Sequence, residues 1–283
     1  MTLRPATEAD LPKIETWLLD HIDTSMFPIE NLRTHGFGSD HPRGLKVFLI
    51  ERSDHFCGIL ALTNEGMLMP QAADATAEDW QDFARVLTGH PIIGVLGDPK
   101  QIRLGLRVLG LETRATTLDE DEPLMSLGLD ELLIPPTAGL ELTPLSPEER
   151  PRLIRWRTHY NMALQGFSFD RAREQSPKDI DGYFERGSHR MLWDNGTPVS
   201  MTGFNAAQPE AVQIGGVYTP PAYRGRGYAR TALALHLDEA RRAGASRSIL
   251  FASGDAARRA YASIGFRLIG SYGLLLFEEP ARL

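Results

Sequence analysis

The sequence predicts an α/β chain of two domains. Apolar runs of strand length alternate with amphipathic helical stretches along the whole chain. Near the middle, LLIPPTAGL (residues 132 to 140) breaks that alternation, because two consecutive prolines continue neither a helix nor a central strand. After the break the chain restarts with the same strand-then-helix opening that it shows at residues 2 to 22. A length of 283 residues gives two domains of ordinary size, each able to bury its own core. The expected boundaries are 1–136 and 137–283.

Taken in order, LRPATEADLPKIETWLLDHI reads as a short strand, a Thr7-led helix start with Asp10 three residues later, and a helix. VFLIER and CGILALTN are apolar runs separated by the polar tip SDHF, as in adjacent antiparallel strands, and GMLMPQ is a third strand. Thr76 to Asp79 resembles a capping box and opens the helix AEDWQDFARVLTG, which Gly89 stops. IIGVLGD is then a buried strand, Pro99 suits the first turn of PKQIRLGLRVLG, and a strand follows near PLMSLGL.

In the second half LELTPL is a strand, and SPEERPRLIRWRTHYNMAL a helix with Ser146 as cap, Pro147 at its first position and Glu149 completing a box. Ser176-Pro177 is expected to open a short helix. In RMLWDNGTPVSMTGF the pair Asn195-Gly196 marks a hairpin, and AVQIGGVYT is the next strand. A helix from about Tyr228 to Ala243 places Ala229, Ala232, Leu233, Leu237 and Ala240 on one face, with Gly244 ending it. SILFA, a helix capped by Ser253 or Asp255 and closed by Gly265, and the strand FRLIGSYGLLLF complete a right-handed βαβ unit.

Composition excludes several function classes. Hydrophobic residues at 42% and charged residues at 24% leave no case for global disorder. A formal charge of -7 argues against a nucleic-acid partner, whose phosphates draw on cationic residues. The one cysteine, Cys57, forms no intrachain disulfide, lies in an apolar run and fits a reducing compartment. No charged leader and no apolar run of bilayer length is present, so the expectation is a cytoplasmic protein without a membrane partner. No His/Cys cluster has metal-ligand spacing, and no metal is expected.

The chemistry is carried by VYTPPAYRGRGYAR, residues 217 to 230. A strand ends at two prolines and turns through Arg224-Gly225-Arg226-Gly227 into a helix. Gly225 and Gly227 permit a tight turn that gathers N–H groups, the helix start adds unpaired donors and the positive end of its dipole, and two arginines stand at the rim. Such a site favours a diphosphate. A nucleotide P-loop is excluded because no Gly-Lys-Ser/Thr ending follows, and Arg230 stands where a dinucleotide fingerprint needs its third glycine.

These residues resemble the GNAT superfamily of N-acetyltransferases. Its hallmark of Arg or Gln, two residues, Gly, one residue, then Gly or Ala is met by Arg224, Gly227 and Ala229, with Val217 and Pro220 upstream. A second signature is met by Ala260, Tyr261, Ile264, Gly265 and Phe266. The resemblance covers about residues 139 to 283. It implies an α/β (α+β) architecture of two GNAT-like domains, each a mixed, mostly antiparallel twisted sheet flanked by helices. The first domain would be degenerate: it lacks the loop, and VLGDPKQ (residues 95 to 101), lying where a cofactor loop could be, has Asp98 to repel phosphate and Pro99 to remove a donor.

The resemblance further implies acetyl-CoA as co-substrate, held by Val217, Tyr218, Thr219, Arg224, Gly225, Arg226, Gly227, Tyr228 and Ala229. Val217 to Thr219 would lie on a splayed strand along the pantetheine arm, with Gly215-Gly216 easing the splay or a bulge. Tyr261 takes the place of the family's general acid, and a phenol of ordinary pKa near 10 stays protonated at neutral pH. The family's strand carboxylate is absent: the stretch reads Ala211, Val212, Gln213, Ile214. Glu210, Asp194, His159, His189 or a water chain are the substitutes. Trp156, Tyr160, Met162, Phe167 and Phe169 are either acceptor-pocket or core residues. The expected activity is acetyl transfer to an amine of a small molecule or peptide, the alternative being an acyl-CoA-binding sensor. The acceptor and the oligomeric state, a homodimer being one option, stay open.

Overall fold

A computed structural model describes residues 2–53 and 55–283, apart from the side chain of Thr2. Asp54, at the tip of the expected first hairpin, lies outside the described residues. The chain forms two compact units, Met1–Glu122 with Ser271–Leu283, and Pro123–Gly270.

The first unit runs β1 (Thr2–Pro5), α1 (Leu11–Asp20), α2 (Ile22–His35), β2 (Leu45–Arg52), β3 (His55–Thr63), β4 (Met67–Gln71), α3 (Ala77–Leu87), β5 (Ile92–Gly97), α4 (Pro99–Val108) and β6 (Thr116–Gly128), whose last residues enter the second unit. β12 (Arg267–Ala281) returns to it. The sheet order is β1-β2-β3-β4-β5-β12, antiparallel except for the β4–β5 pair. The expected start signals form: Thr7 and Asp10 make a capping box, Thr76 and Asp79 another, and Asp98 caps α4 with Pro99 in its first turn. Trp80, Phe83 and Leu87 of α3 pack with Ile102 and Leu106 of α4 and with Leu275 of β12 in one core. Cys57 is half-buried against that core.

The second unit runs β7 (Leu140–Pro144), α5 (Arg150–Leu164), α6 (Phe169–Arg186), β8 (His189–Asp194), β9 (Thr197–Ala207), β10 (Ala211–Tyr218), α7 (Tyr228–Arg242), β11 (Arg247–Phe251) and α8 (Asp255–Ala262). Its sheet order is β6-β11-β10-β9-β8-β7, antiparallel except for β10–β11. Each unit therefore repeats one plan: strand, two helices, three antiparallel strands, helix, parallel strand, helix. Asn195 (φ 47°) and Gly196 (φ 79°) make the two-residue hairpin turn between β8 and β9, both in the left-handed region that such a turn requires.

Four expectations need correction. Ser146 makes no capping hydrogen bond and no box with Glu149: it precedes a 3-10 turn at Pro147–Glu149, its hydroxyl pairs with Glu148, and α5 follows with Glu149 as its N-cap. Ser176-Pro177 does not open a helix: α6 begins at Phe169, where Ser168 caps it by accepting from the Arg171 N–H, and it carries Pro177 in its interior. The side chain of Ser176 donates to the Ala172 carbonyl at 2.6 Å, one turn back. The N-cap of α8 is Gly254 rather than Ser253 or Asp255. The compact units do not divide at 136/137. Pro123–Gly128 of β6 pairs with β11, and Leu129 and Leu133 donate backbone hydrogen bonds to Ser246 and Ile264, so the proline pair lies inside the second unit. In exchange, Gly273–Leu276 of β12 pairs with β5.

Candidate acyl-transfer site

The site forms where β10 and β11 part. They pair only at Ala211↔Arg247, Val212↔Ser248 and Gln213↔Ile249, after which β10 continues unpaired with β11 through Tyr218. On its other edge β10 shifts register against β9 between Gln213 and Ile214, and again between Gly215 and Tyr218. Gly216 has φ +66°, where a side chain is strained, so the two glycines do make a bulge. Val217 and Tyr261 both pack, partly buried, on the core formed by Val212, Ile214, Leu233 and Ile264 among others. Val217, next to Gly216, thus lies where β10 has no backbone pairing with β11 among the described residues.

β10 leads into the loop and α7. Tyr218 is buried against Trp156, ring centroids 5.9 Å apart, and burial raises its pKa. Its carbonyl accepts from Ser200 Oγ at 3.1 Å, and the Thr219 hydroxyl lies 2.9 Å from the same Oγ. Arg224 Nε donates to the Thr219 carbonyl at 3.0 Å, which folds the loop back on the strand end. Gly225 (φ +77°) and Gly227 (φ +84°) are both left-handed, and Arg224, Gly225 and Arg226 are exposed.

Gly227 is the N-cap of α7 and supplies no side-chain acceptor, so the first N–H groups of a 15-residue helix have no capping side chain. This is a cradle for an anion. The Tyr228 hydroxyl donates to the Asp194 carboxylate, which raises the phenol's pKa and ties its side chain to the β8–β9 turn. Ala229 is half-buried in the first turn.

The same position in the first unit is built differently. By topology the counterpart of residues 219–227 is the β4–α3 loop, residues 72–76, rather than residues 95–101, which lead from β5 into α4. That loop has no glycine or arginine. Thr76 Oγ1 accepts from the Asp79 N–H, Asp79 Oδ2 accepts from the Thr76 N–H at 2.7 Å, and Arg52 is paired with Asp79. The helix start is thus capped from within. The parting of β4 and β5 is closed as well: Gln101 Oε1 accepts from the Ala72 N–H at 2.8 Å, and Trp17 Nε1 donates to the Gln71 carbonyl at 2.8 Å.

Tyr261 lies in α8, half-buried, its ring 6.2 Å from that of Phe266. Gly265 (φ +111°) turns the chain so that the Phe266 N–H donates to the Tyr261 carbonyl at 3.2 Å. Of the substitute bases, Asp194 accepts from Tyr228 and from Asn195, and His159 is exposed on α5. Glu210 precedes β10 at the end paired with β11, roughly 20 Å of strand from Val217 at about 3.3 Å per residue. His189 is only 2% exposed, and burial followed by Arg157, His236, Arg186 and Arg190 holds its pKa well below the usual value. The aromatic and methionine set divides: Trp156 is core, Met162 and Phe169 are exposed, and Phe167 lies under Arg171. Among the described residues no group of three or more His, Cys, Asp or Glu is placed to hold a metal ion, and no helix is long and apolar enough to cross a membrane.

Buried polar side chains were not legible from sequence. Arg157 donates to Asp179 at 2.7 Å, Asn161 and Gln175 donate to the same carboxylate, and Gln213 is fully buried with no partner for either amide atom among the described residues. Only Gln213 carried a signal, through its position in the strand.

Residues 153–266 match the Acetyltransferase (GNAT) family. No curated protein sequence matches the chain significantly. Solved structures share the fold along nearly the whole chain. A GCN5-related N-acetyltransferase from Sphaerobacter thermophilus is 15% identical with TM-score 0.57, covering 100% of this chain and 96% of its own. An acetyltransferase of the GNAT family from Colwellia psychrerythraea is 14% identical with TM-score 0.53, covering 98% and 100%. A tandem GNAT protein from the clavulanic acid biosynthesis pathway is 12% identical with TM-score 0.54, covering 98% of each. The parted strands, the uncapped glycine-led helix and the residues that match the GNAT acetyltransferase family all fall in the second unit, and the chain as a whole shares the fold of a tandem GNAT protein.

Proposed function

We propose that the second unit transfers an acetyl group from acetyl-CoA to an amine of a small molecule or peptide. The observation that carries this is the uncapped N-terminus of α7 at the end of a strand that has left its neighbour. The residues fit the co-substrate. The N–H groups beyond Gly227, with Arg224 and Arg226 at the rim, suit the diphosphate, and the free edge of Val217 to Thr219 suits the amides of the pantetheine arm.

In the reaction the amine nitrogen attacks the thioester carbon, the carbon–sulfur bond breaks, and the leaving thiolate takes a proton. The backbone N–H near Val217 would polarise the carbonyl, and Tyr261 would give its phenolic proton to the sulfur. Asp194 and Glu210 are committed or distant, so the amine's surplus proton passes to water. The first unit, whose equivalent helix start is capped by Thr76 and Asp79, binds no acyl-CoA in this reading.

Calorimetric titration with acetyl-CoA tests the proposal. One site per chain is expected, lost in Gly227→Asp, whose carboxylate would stand at the diphosphate. No binding to the wild type would overturn the reading. The alternative, an acyl-CoA-binding sensor, is favoured by Gln213 standing where a carboxylate would serve as base; it requires binding without release of free thiol for any amine.

A further inference from the structure

Beside the bulge of β10 lies a polar pair that the reaction as described leaves unused. His189 stands in register with Gly203 of β9, and its ring reaches across the sheet. A Cβ on Gly203 would lie 2.2 Å from ring atoms Cδ2 and Nε2, and a Cβ on Gly216 would lie 2.6 Å from Nε2. Only glycine at both positions lets the imidazole pass from β8 over β9 to β10. The Tyr183 ring stacks on it at 3.5 Å and 13°, and the Tyr183 hydroxyl is 3.6 Å from the same Gly216 Cβ position. Nδ1 is 2.9 Å from Ser188 Oγ, whereas Nε2 is buried without a hydrogen-bond partner among the described residues. In the tautomer whose Nδ1–H donates to Ser188 Oγ, Nε2 is a buried acceptor left unpaired, which is costly, so its retention against two glycines calls for a reason.

The fixed charges around this pair are arginines. After burial itself, Arg157 from α5, Arg186 from α6 and Arg190 from β8 oppose a proton on His189, and His236 from α7 does so only when it is itself protonated. The carboxylates that pair with these arginines are engaged: Asp179 accepts from Arg157, Asn161 and Gln175, and Glu239 from Arg190. Gln213, at the apex of the parted strands, is uncharged. An ammonium group is therefore unwelcome here, and an N–H of an uncharged amine has an acceptor waiting one residue before Val217.

We propose, resting on the acyltransferase reading, that Nε2 of His189 receives an N–H of the acceptor, and that this face admits weakly basic amines, such as a peptide α-amine, in their uncharged form. Since Nε2 is buried, this requires the exposed Asn205, whose amide lies against Gly215, to turn aside as the amine enters. A neutral amine needs no base before attack, which accounts for a strand without a carboxylate.

The test uses the full chain, acetyl-CoA, and two probes: triglycine for the α-amine, with an ordinary pKa near 8, and Nα-acetyl-lysine amide for the ε-amine, near 10.4. Arg186 is exposed, so Arg186→Glu leaves the core intact. It should move the ratio of kcat/KM values at least about fivefold toward the lysine probe, as removal of local like charge predicts. His189→Phe should raise the KM for triglycine roughly tenfold, the loss of one hydrogen bond, with acetyl-CoA affinity unchanged. On the wild type bound to coenzyme A, which cannot acetylate, the 15N resonance of His189 Nε2 should shift when triglycine is added. An unchanged ratio, a still resonance, or turnover of neither probe while acetyl-CoA binds would each overturn the proposal. Absence of acetyl-CoA binding would instead sink the acyltransferase reading itself.

Discussion

Tyr261 and the glycines of the bulge act through single atoms, and their substitution separates chemistry from architecture. Tyr261→Phe removes one hydroxyl and keeps the ring that packs beside Phe266. If that hydroxyl protonates the departing sulfur, kcat falls by about 10² or more while the affinity for acetyl-CoA is unchanged, measured by thiol release and by calorimetry. Equal kcat values would assign Tyr261 to packing alone. Gly203→Ala places a methyl group where the His189 ring already lies, at 2.2 Å. Overpacking of this kind costs about 1–3 kcal/mol, to be read from the denaturation midpoint. The loop residues Arg224, Gly225 and Gly227 were legible in the sequence because a left-handed turn before a helix admits few residue types. The sequence offered His189 only as one of several substitute bases; its dependence on glycines 14 and 27 residues away has no local signature.

The fate of the first N–H groups distinguishes the two equivalent helices. In α3 they meet Thr76 and Asp79, and in α7 they meet no side chain. Thr76→Ala should lower the stability of the first unit by about 1 kcal/mol and leave acetyl-CoA binding untouched, which thermal unfolding with and without the ligand would show. β8 and α7 also contribute buried histidines: burial, then Arg190, lowers the pKa of His236 to about 3, and His189 is likewise depressed. The unfolded chain takes up protons on both near pH 6.5 while the folded chain does not, so stability falls as pH drops from about 6.5 toward 3, by up to about 1.4 kcal/mol per pH unit per histidine. His236→Phe, which stacks equally well on Phe204, should flatten that slope in a pH series of denaturation midpoints; an unchanged slope would show that His236 titrates normally. Thr7, Thr76 and Pro99 marked starts that form, whereas Ser146, Ser176 and Ser253 or Asp255 did not supply the caps read from them. α6 was misread because Pro177 is a strong local breaker, whereas its cost in a long helix is covered by packing of Ala172, Ile180 and Tyr183.

At the scale of the molecule, the two halves of the sequence are not the two units of the fold. Pairing across a sheet is a long-range property, and no feature of PLMSLGL or SYGLLLF announces that each completes the sheet of the other half. The proline pair looked like a boundary because it halts both kinds of element, yet its backbone is tied to Ile264 through Leu133. Deletion of residues 1–136, the natural cut on sequence grounds, therefore strips the second unit of Pro123–Gly128, the antiparallel neighbour of β11. It also leaves Ser271–Leu283 without the β5 edge on which Gly273 to Leu276 pair, and that segment is apolar. An unpaired apolar strand is an association hazard, and β11 loses Met125, Leu127 and Leu129 from its core. The fragment 137–283 should be insoluble or unfolded, with no protected amides in β11 by hydrogen exchange and no acetyl-CoA binding. A soluble, acetyl-CoA-binding fragment would show that the exchanged strands are dispensable. Restoring the missing strand as a peptide of residues 122–131 should recover part of the fold, since β6 supplies the same backbone and side-chain contacts whether or not it is covalently joined.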